Sequence, residues 1–152
     1  MRVTTDIGYL LNKATRQFRL QLGDSLAETG LTPQQAAVLM AIVRSDAGRL
    51  TPRSIAEAID TDAATTSGLL DRLTRDSWLD AVPNPDDGRS RLIGLTAKAE
   101  AALPGVMAAA DAVSATATAH LSTTERETLG RLLARLCETE QTPATKRKAG
   151  SR

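Results

Sequence analysis

The sequence predicts a mainly α-helical chain carrying one small β-hairpin, and three observations predict it. Aromatic residues are 2% of the 152 residues, one each of Phe18, Trp78 and Tyr9, so the core must be built from Leu, Ile, Val and Ala. That composition favours close-packed helices over stacked sheets. Helix start signals, Thr-Pro pairs and capping boxes, recur along the chain and are followed by apolar residues at helical spacing. After Trp78 that spacing gives way to a short apolar run, a cluster of turn formers and a second short run.

From Asp6, the residues Ile7, Leu10, Leu11, Ala14, Phe18 and Leu22 predict a long first helix to about Glu28, ending near Gly30. Thr32-Pro33-Gln34-Gln35 reads as an N-cap, a first-turn proline and a capping-box glutamine. Ala36, Leu39, Met40 and Val43 then form one face of a second helix, closed by Asp46-Ala47-Gly48. Thr51-Pro52 opens a short third helix with Ile55, Ala56 and Ile59, stopping around Asp60. Asp62 caps a fourth, whose inner face is Thr66, Leu69, Leu70 and Leu73 and which reaches about Ser77. Two short helices joined this tightly make a helix-turn-helix.

Trp78 to Val82 reads as a strand, Pro83-Asn84-Pro85-Asp86-Asp87-Gly88 as a polar tip, and Arg91 to Leu95 as the returning strand. This hairpin completes a winged helix-turn-helix over about 32–96. Thr96 caps an Ala-rich helix to about Ala119, in which Pro104 is expected to make a kink or a break. Ser122-Thr123-Thr124-Glu125 opens a last helix with Leu129, Leu132, Leu133 and Leu136 on one stripe. Residues 141–152, with Lys146-Arg147-Lys148 and Arg152, hold no apolar periodicity and read as a disordered basic tail. The expectation is a single domain over 1–140, with flanking helices at about 6–28 and 97–138. The apolar stripes of those helices lack cover from neighbouring sequence. A second copy of the chain would supply it, the alternative being an intramolecular bundle.

Net charge is +1, split as +1 over residues 1–43, −2 over 44–96 and +2 over 97–152. A nearly neutral balance argues neither for nucleic acid nor against it. The single Cys137 excludes an internal disulfide and fits a reducing compartment. No stretch is long and apolar enough for a membrane span or signal peptide, so the cytoplasm is the expected location. With one histidine, one cysteine and no glycine-rich phosphate loop, no nucleophile–base pair, metal set or cofactor motif is in view, and an enzyme is not expected. Cys137, beside Leu133 and Leu136, reads as an inert buried thiol rather than an oxidant sensor, and His120 has no neighbouring ligand for a metal.

The chain resembles the MarR (multiple antibiotic resistance regulator) family of bacterial transcription regulators. The resemblance rests on Leu31-Thr32-Pro33-Gln34-Gln35, Ile55-Ala56-Glu57-Ala58-Ile59, Leu69-Leu70-Asp71-Arg72-Leu73 and the wing run from Asp87-Gly88-Arg89 through Leu95-Thr96. It implies a homodimer on double-stranded DNA in which first, fifth and sixth helices intertwine and two winged domains project. The expected function is a ligand-responsive repressor on an inverted-repeat operator. The alternative is a degenerate winged-helix protein that binds a protein or ligand with weak DNA affinity.

Arg89 is the first candidate DNA contact, its guanidinium reaching a narrowed minor groove with Asp87 holding it by ion pairing. The fourth helix is expected in the major groove, presenting Ala63, Ala64, Thr65, Thr66 and Ser67 to base edges. Arg72 and Arg75 are the only cations along 62–77, and Arg53 and Arg91 are candidate phosphate contacts. Where the family usually carries a cation near 68, a glycine near 78 and basic residues at 81 and 82, this chain has Gly68, Trp78, Ala81 and Val82. So few cations predict weak or strongly site-dependent binding. The resemblance also implies a small amphipathic or phenolic effector bound between dimer helices and winged domain, with Phe18, Met40 and Met107 as candidate lining.

Overall fold

The computed structural model describes residues 6–138. The helices are α1 (Ile7–Leu26), α2 (Pro33–Val43), α3 (Pro52–Ala58), α4 (Ala63–Arg75), α5 (Ala97–Ala117) and α6 (Thr123–Glu138). The strands are β1 (Arg49–Leu50), β2 (Leu79–Asn84) and β3 (Asp87–Leu95). Two compact units divide within α5, between Ser114 and Ala115. The predicted basic tail lies outside the described residues.

The start signals act as the sequence predicts. Thr32 Oγ1 accepts from the Gln35 N–H at 3.2 Å, and the Gln35 side chain accepts from the Thr32 N–H at 2.9 Å. Ser122 and Glu125 make the same reciprocal pair at the head of α6. Each box satisfies two backbone donors that a helix start leaves unpaired. After α1 the chain tightens into a 3-10 turn over Ala27–Thr29 and leaves through Gly30 at φ 74°. Pro104 sits inside an unbroken α5 rather than at a break.

In the first unit, Leu26, Val38, Leu39, Ile42, Ile55 and Leu73 are fully buried. Trp78, Leu79 and Ile93 bring the hairpin base onto this core, and Ala99, Leu103 and Val106 bring α5. Truncating any one of the large aliphatics to Ala would cost roughly 2–5 kcal/mol.

The sheet is antiparallel with order β1-β3-β2. β1 was not expected: two residues carry no alternation signal, and Arg49 and Leu50 become a strand only by pairing with Gly94 and Ile93. The hairpin is longer and tighter than predicted, with β2 and β3 running to a two-residue turn at Pro85-Asp86. Asn84 steadies that turn by accepting from the Asp86 N–H at 3.0 Å.

The second unit holds the last turns of α5 and all of α6. Among the described residues Leu132 and Leu136 are each 51% exposed. Cys137 is exposed as well, which corrects the expectation of a buried thiol. No described element covers that side of α6, so adjacency to Leu133 and Leu136 did not imply burial.

Candidate nucleic-acid interface

The link between α3 and α4 is short because Asp60 takes a left-handed conformation, φ 52°, and Asp62 immediately caps α4. Asp62 accepts from the Thr65 N–H at 2.8 Å and from the Thr65 hydroxyl at 2.7 Å. These bonds, the backbone one foremost, hold the Asp62 carboxyl below its usual range and keep it ionised. The Thr65 hydroxyl therefore faces outward with its proton already committed to Asp62.

Along α4, Ala63, Ala64, Thr65 and Ser67 are exposed, as are Arg72 and Arg75. Thr66 is not. It is 1% exposed and packs inward with Leu69, Leu70 and Leu73, which removes it from the expected DNA contacts. Its position three residues before Leu69 puts it on the buried face of the helix, as the inner-face periodicity indicated and the hydroxyl chemistry did not. Gly68 is open: a Cβ built there meets nothing within 4 Å.

The wing depends on an irregular ladder. Pairing proceeds from Val82 with Leu92 to Pro83 with Arg91, then jumps to Asn84 with Asp87. Gly88, Arg89 and Ser90 are left bulged out of register on β3. Pro83 has no N–H to offer the ladder, which is where a bulge is tolerated, and a bulge re-aims the side chains it carries. Arg89 is exposed at this bulge. Asp87 does hold it, though not by the ion pair expected: Asp87 Oδ1 accepts from the Arg89 backbone N–H at 3.0 Å. The guanidinium stays free, and among the described residues Arg72, Arg89 and Arg91 form no ion pair.

Other charges are spoken for. Arg53 pairs with Glu57 at 3.1 Å and Arg75 with Asp76 at 3.4 Å, both exposed and weak. Arg49, missed by sequence reasoning, crosses the sheet to Asp80 at 2.6 Å and braces the base of the wing. Gly94 makes room for it, since a Cβ there would stand 2.7 Å from Arg49 Nη1. Trp78 is 8% exposed, with Lys98 Nζ 4.3 Å from its ring centroid. The Lys98 ammonium also donates to the Asp76 carbonyl at 2.8 Å, and the Thr96 hydroxyl to that of Ser77 at 2.7 Å. These bonds fix the end of α4 against the start of α5.

The structure does not bring Phe18, Met40 and Met107 into one pocket. Phe18 lines a cleft between α1, α2 and the α3–α4 link, and Met40 lines a separate groove with Arg44 and Ser54. Met107 is 46% exposed on α5. Helical periodicity reports which face of its own helix a residue occupies and nothing about which neighbour it meets.

A groove of about 1060 Å³ lies between α3, α4 and the sheet and includes Arg53, Ser67 and Arg91. The fold that carries this helix and hairpin has solved counterparts. The crystal structure of a probable transcriptional regulator from Pseudomonas aeruginosa matches with TM-score 0.79 at 33% identity, over 89% of this chain and 99% of that one. A model of the MarR family matches residues 29–90. The chain belongs to the MarR family. The transcriptional repressor NicR of Pseudomonas putida is 26% identical to this MarR-family chain, over 91% of it and 87% of NicR. A mutant MarR from E. coli, solved complexed with operator DNA, matches with TM-score 0.78 at 25% identity, over 89% of this chain and 96% of that one. Within this MarR-family fold the left-handed residue at the foot of β2 is Ser77, φ 62°, and Trp78 beside it is core.

Proposed function

We propose that this chain is a homodimeric, DNA-binding transcriptional repressor acting in the cytoplasm, without catalysis, on an inverted-repeat operator and released by a small effector. The observation that carries the reading is Arg89: an exposed guanidinium with no ion-pair partner among the described residues, on a hairpin bulge pinned through its backbone to Asp87. A free cation on a backbone anchored this way can meet the negative potential of a narrow minor groove without first breaking an ion pair. NicR carries the name repressor, and the E. coli MarR complex holds operator DNA, which supports the same use of this fold. Exposed Ile7 and Leu10 on α1, and Leu129, Leu132 and Leu136 on α6, support a second copy as partner.

The test is a fluorescence-anisotropy titration at two salt concentrations, using the DNA upstream of the protein's own gene and random duplex. Wild type is expected to prefer the upstream fragment. Arg89→Ala is expected to bind on the order of tenfold more weakly, with a salt slope shallower by about 0.9 for each phosphate the variant no longer neutralises. No preference in wild type sinks the reading. The rival, a winged-helix module with little DNA affinity, is favoured by the carboxylates of Asp60, Asp62 and Asp71 around α4, and the same titration decides it.

A further inference from the structure

We propose that Arg49 is a positioning residue for DNA binding: laid across Gly94 onto Asp80, it locks the base of the wing to the head of α3 and so fixes where Arg89 stands relative to α4. The proposal rests on the regulator reading above and adds the device that holds its two DNA-facing elements at a set spacing.

Arg49 on β1, Gly94 on β3 and Asp80 on β2 form one row across the sheet, Gly94 being the pairing partner of both charged residues. Two strand spacings therefore separate those residues, roughly 9–10 Å, which an arginine spans only when extended over the middle strand. Gly94 leaves that path open, since a Cβ there would stand 2.7 Å from Arg49 Nη1 and 2.8 Å from its Cζ. The guanidinium meets Asp80 at 2.6 Å, and the same Nη1 donates to the Leu92 carbonyl at 3.5 Å. One side chain thus ties all three strands together.

The connections at either end give this brace its reach. Arg49 stands two residues before Thr51, whose hydroxyl caps α3 by accepting from the Ser54 N–H at 3.1 Å. α3 then leads through the short Asp60 link into α4. β1 is only two residues long, so few ladder bonds hold this corner to the wing. On the other side, Arg89 lies five residues from Gly94 along β3. That is roughly 15 Å of strand, so a tilt of about 10° at the base moves Arg89 by roughly 2–3 Å. Such a displacement is enough to break a hydrogen bond to phosphate or base. With side chains 32% and 47% exposed, the pair adds little to global stability. What it supplies instead is orientation.

Arg49→Met, Asp80→Asn and Gly94→Ala remove the brace in three different ways, the last without touching either charge. In the anisotropy titration with the upstream fragment, each is expected to bind about threefold more weakly than wild type, at a urea midpoint close to that of wild type. Placed on Arg89→Ala, each is expected to cost no further affinity, because a wing without its guanidinium has nothing left to aim. Losses that add to that of Arg89→Ala overturn the proposal, and so does wild-type affinity in all three variants. In the free full-length protein, amide hydrogen exchange along the hairpin from Ala81 to Leu92 is expected to quicken about tenfold in the variants, with that of α2 unchanged. Unaltered exchange in the hairpin also overturns it. With no upstream preference in wild type the regulator reading falls, and quickened exchange in the variants then still upholds Arg49 as the residue that holds the wing.

Discussion

Ser77 carries a side chain at φ 62°, a conformation that costs an L-residue about 1–2 kcal/mol. It is held there because its carbonyl accepts from the Thr96 hydroxyl and its N–H donates to the Thr74 carbonyl. Ser77→Gly keeps both bonds and relieves the strain, against about 0.5–1 kcal/mol of extra unfolded-chain entropy. A net gain of about 0.5–1 kcal/mol is expected in urea denaturation. Asp62 supplies a pH test. Its folded-state carboxyl is held below the ordinary value of 3.8 by the Thr65 N–H and hydroxyl. Its contribution is therefore complete above that value and is lost as pH falls through the depressed one. Asp62→Asn keeps a cap without the charge. The stability advantage of wild type over Asp62→Asn at about pH 6 is expected to vanish as pH drops below about 3.8, read as converging urea midpoints.

At the scale of elements, α4 and the hairpin differ in how they are specified. α4 is a local object: a cap at Asp62, a stripe at Leu69, Leu70 and Leu73, and cations Arg72 and Arg75 in the last turn that complement the helix dipole. Gly68 is its weak point, costing about 1 kcal/mol relative to a good helix former with no neighbour that requires it. Gly68→Arg is expected to stabilise the fold by up to about 1 kcal/mol. It also adds a cation to the exposed face and steepens the salt dependence of DNA binding by about 0.9 for each further phosphate neutralised. A DNA titration with an unaltered salt slope would show that this face does not approach phosphate. The hairpin is a cooperative object, since β1 exists only through β3, and Arg49 reaches Asp80 only because Gly94 leaves a gap between them.

For the whole molecule, the exposed leucines of α6 set the prediction. Leu129, Leu132, Leu133 and Leu136, between 38% and 51% exposed along α6, are costly in water, and the proposed partner copy would cover them. Leu132→Glu places a charge among them. Light scattering is expected to give a dimer for wild type and a monomer for the variant, with operator affinity falling because two half-sites can no longer be gripped together. A wild-type monomer would remove the inverted-repeat part of the proposal.

The sequence by itself determined the helices, their order and most of their boundaries. Caps such as Thr32 with Gln35, and stripes such as Leu69, Leu70 and Leu73, act through bonds and packing within a few residues of chain. The local signals marked a polar hairpin tip with a cation beside it, and it was the resemblance to the family's wing run that made Arg89 and Asp87 candidates for DNA. What only the tertiary structure decided depends on residues far apart in the chain. That set includes the pairing of β1, the bulge that carries Arg89, the lack of a partner for the Thr66 hydroxyl, and the separation of Phe18, Met40 and Met107. Periodicity tells which side of a helix a residue is on, but packing between distant elements determines what that side meets, and so which polar groups are left to bind something else.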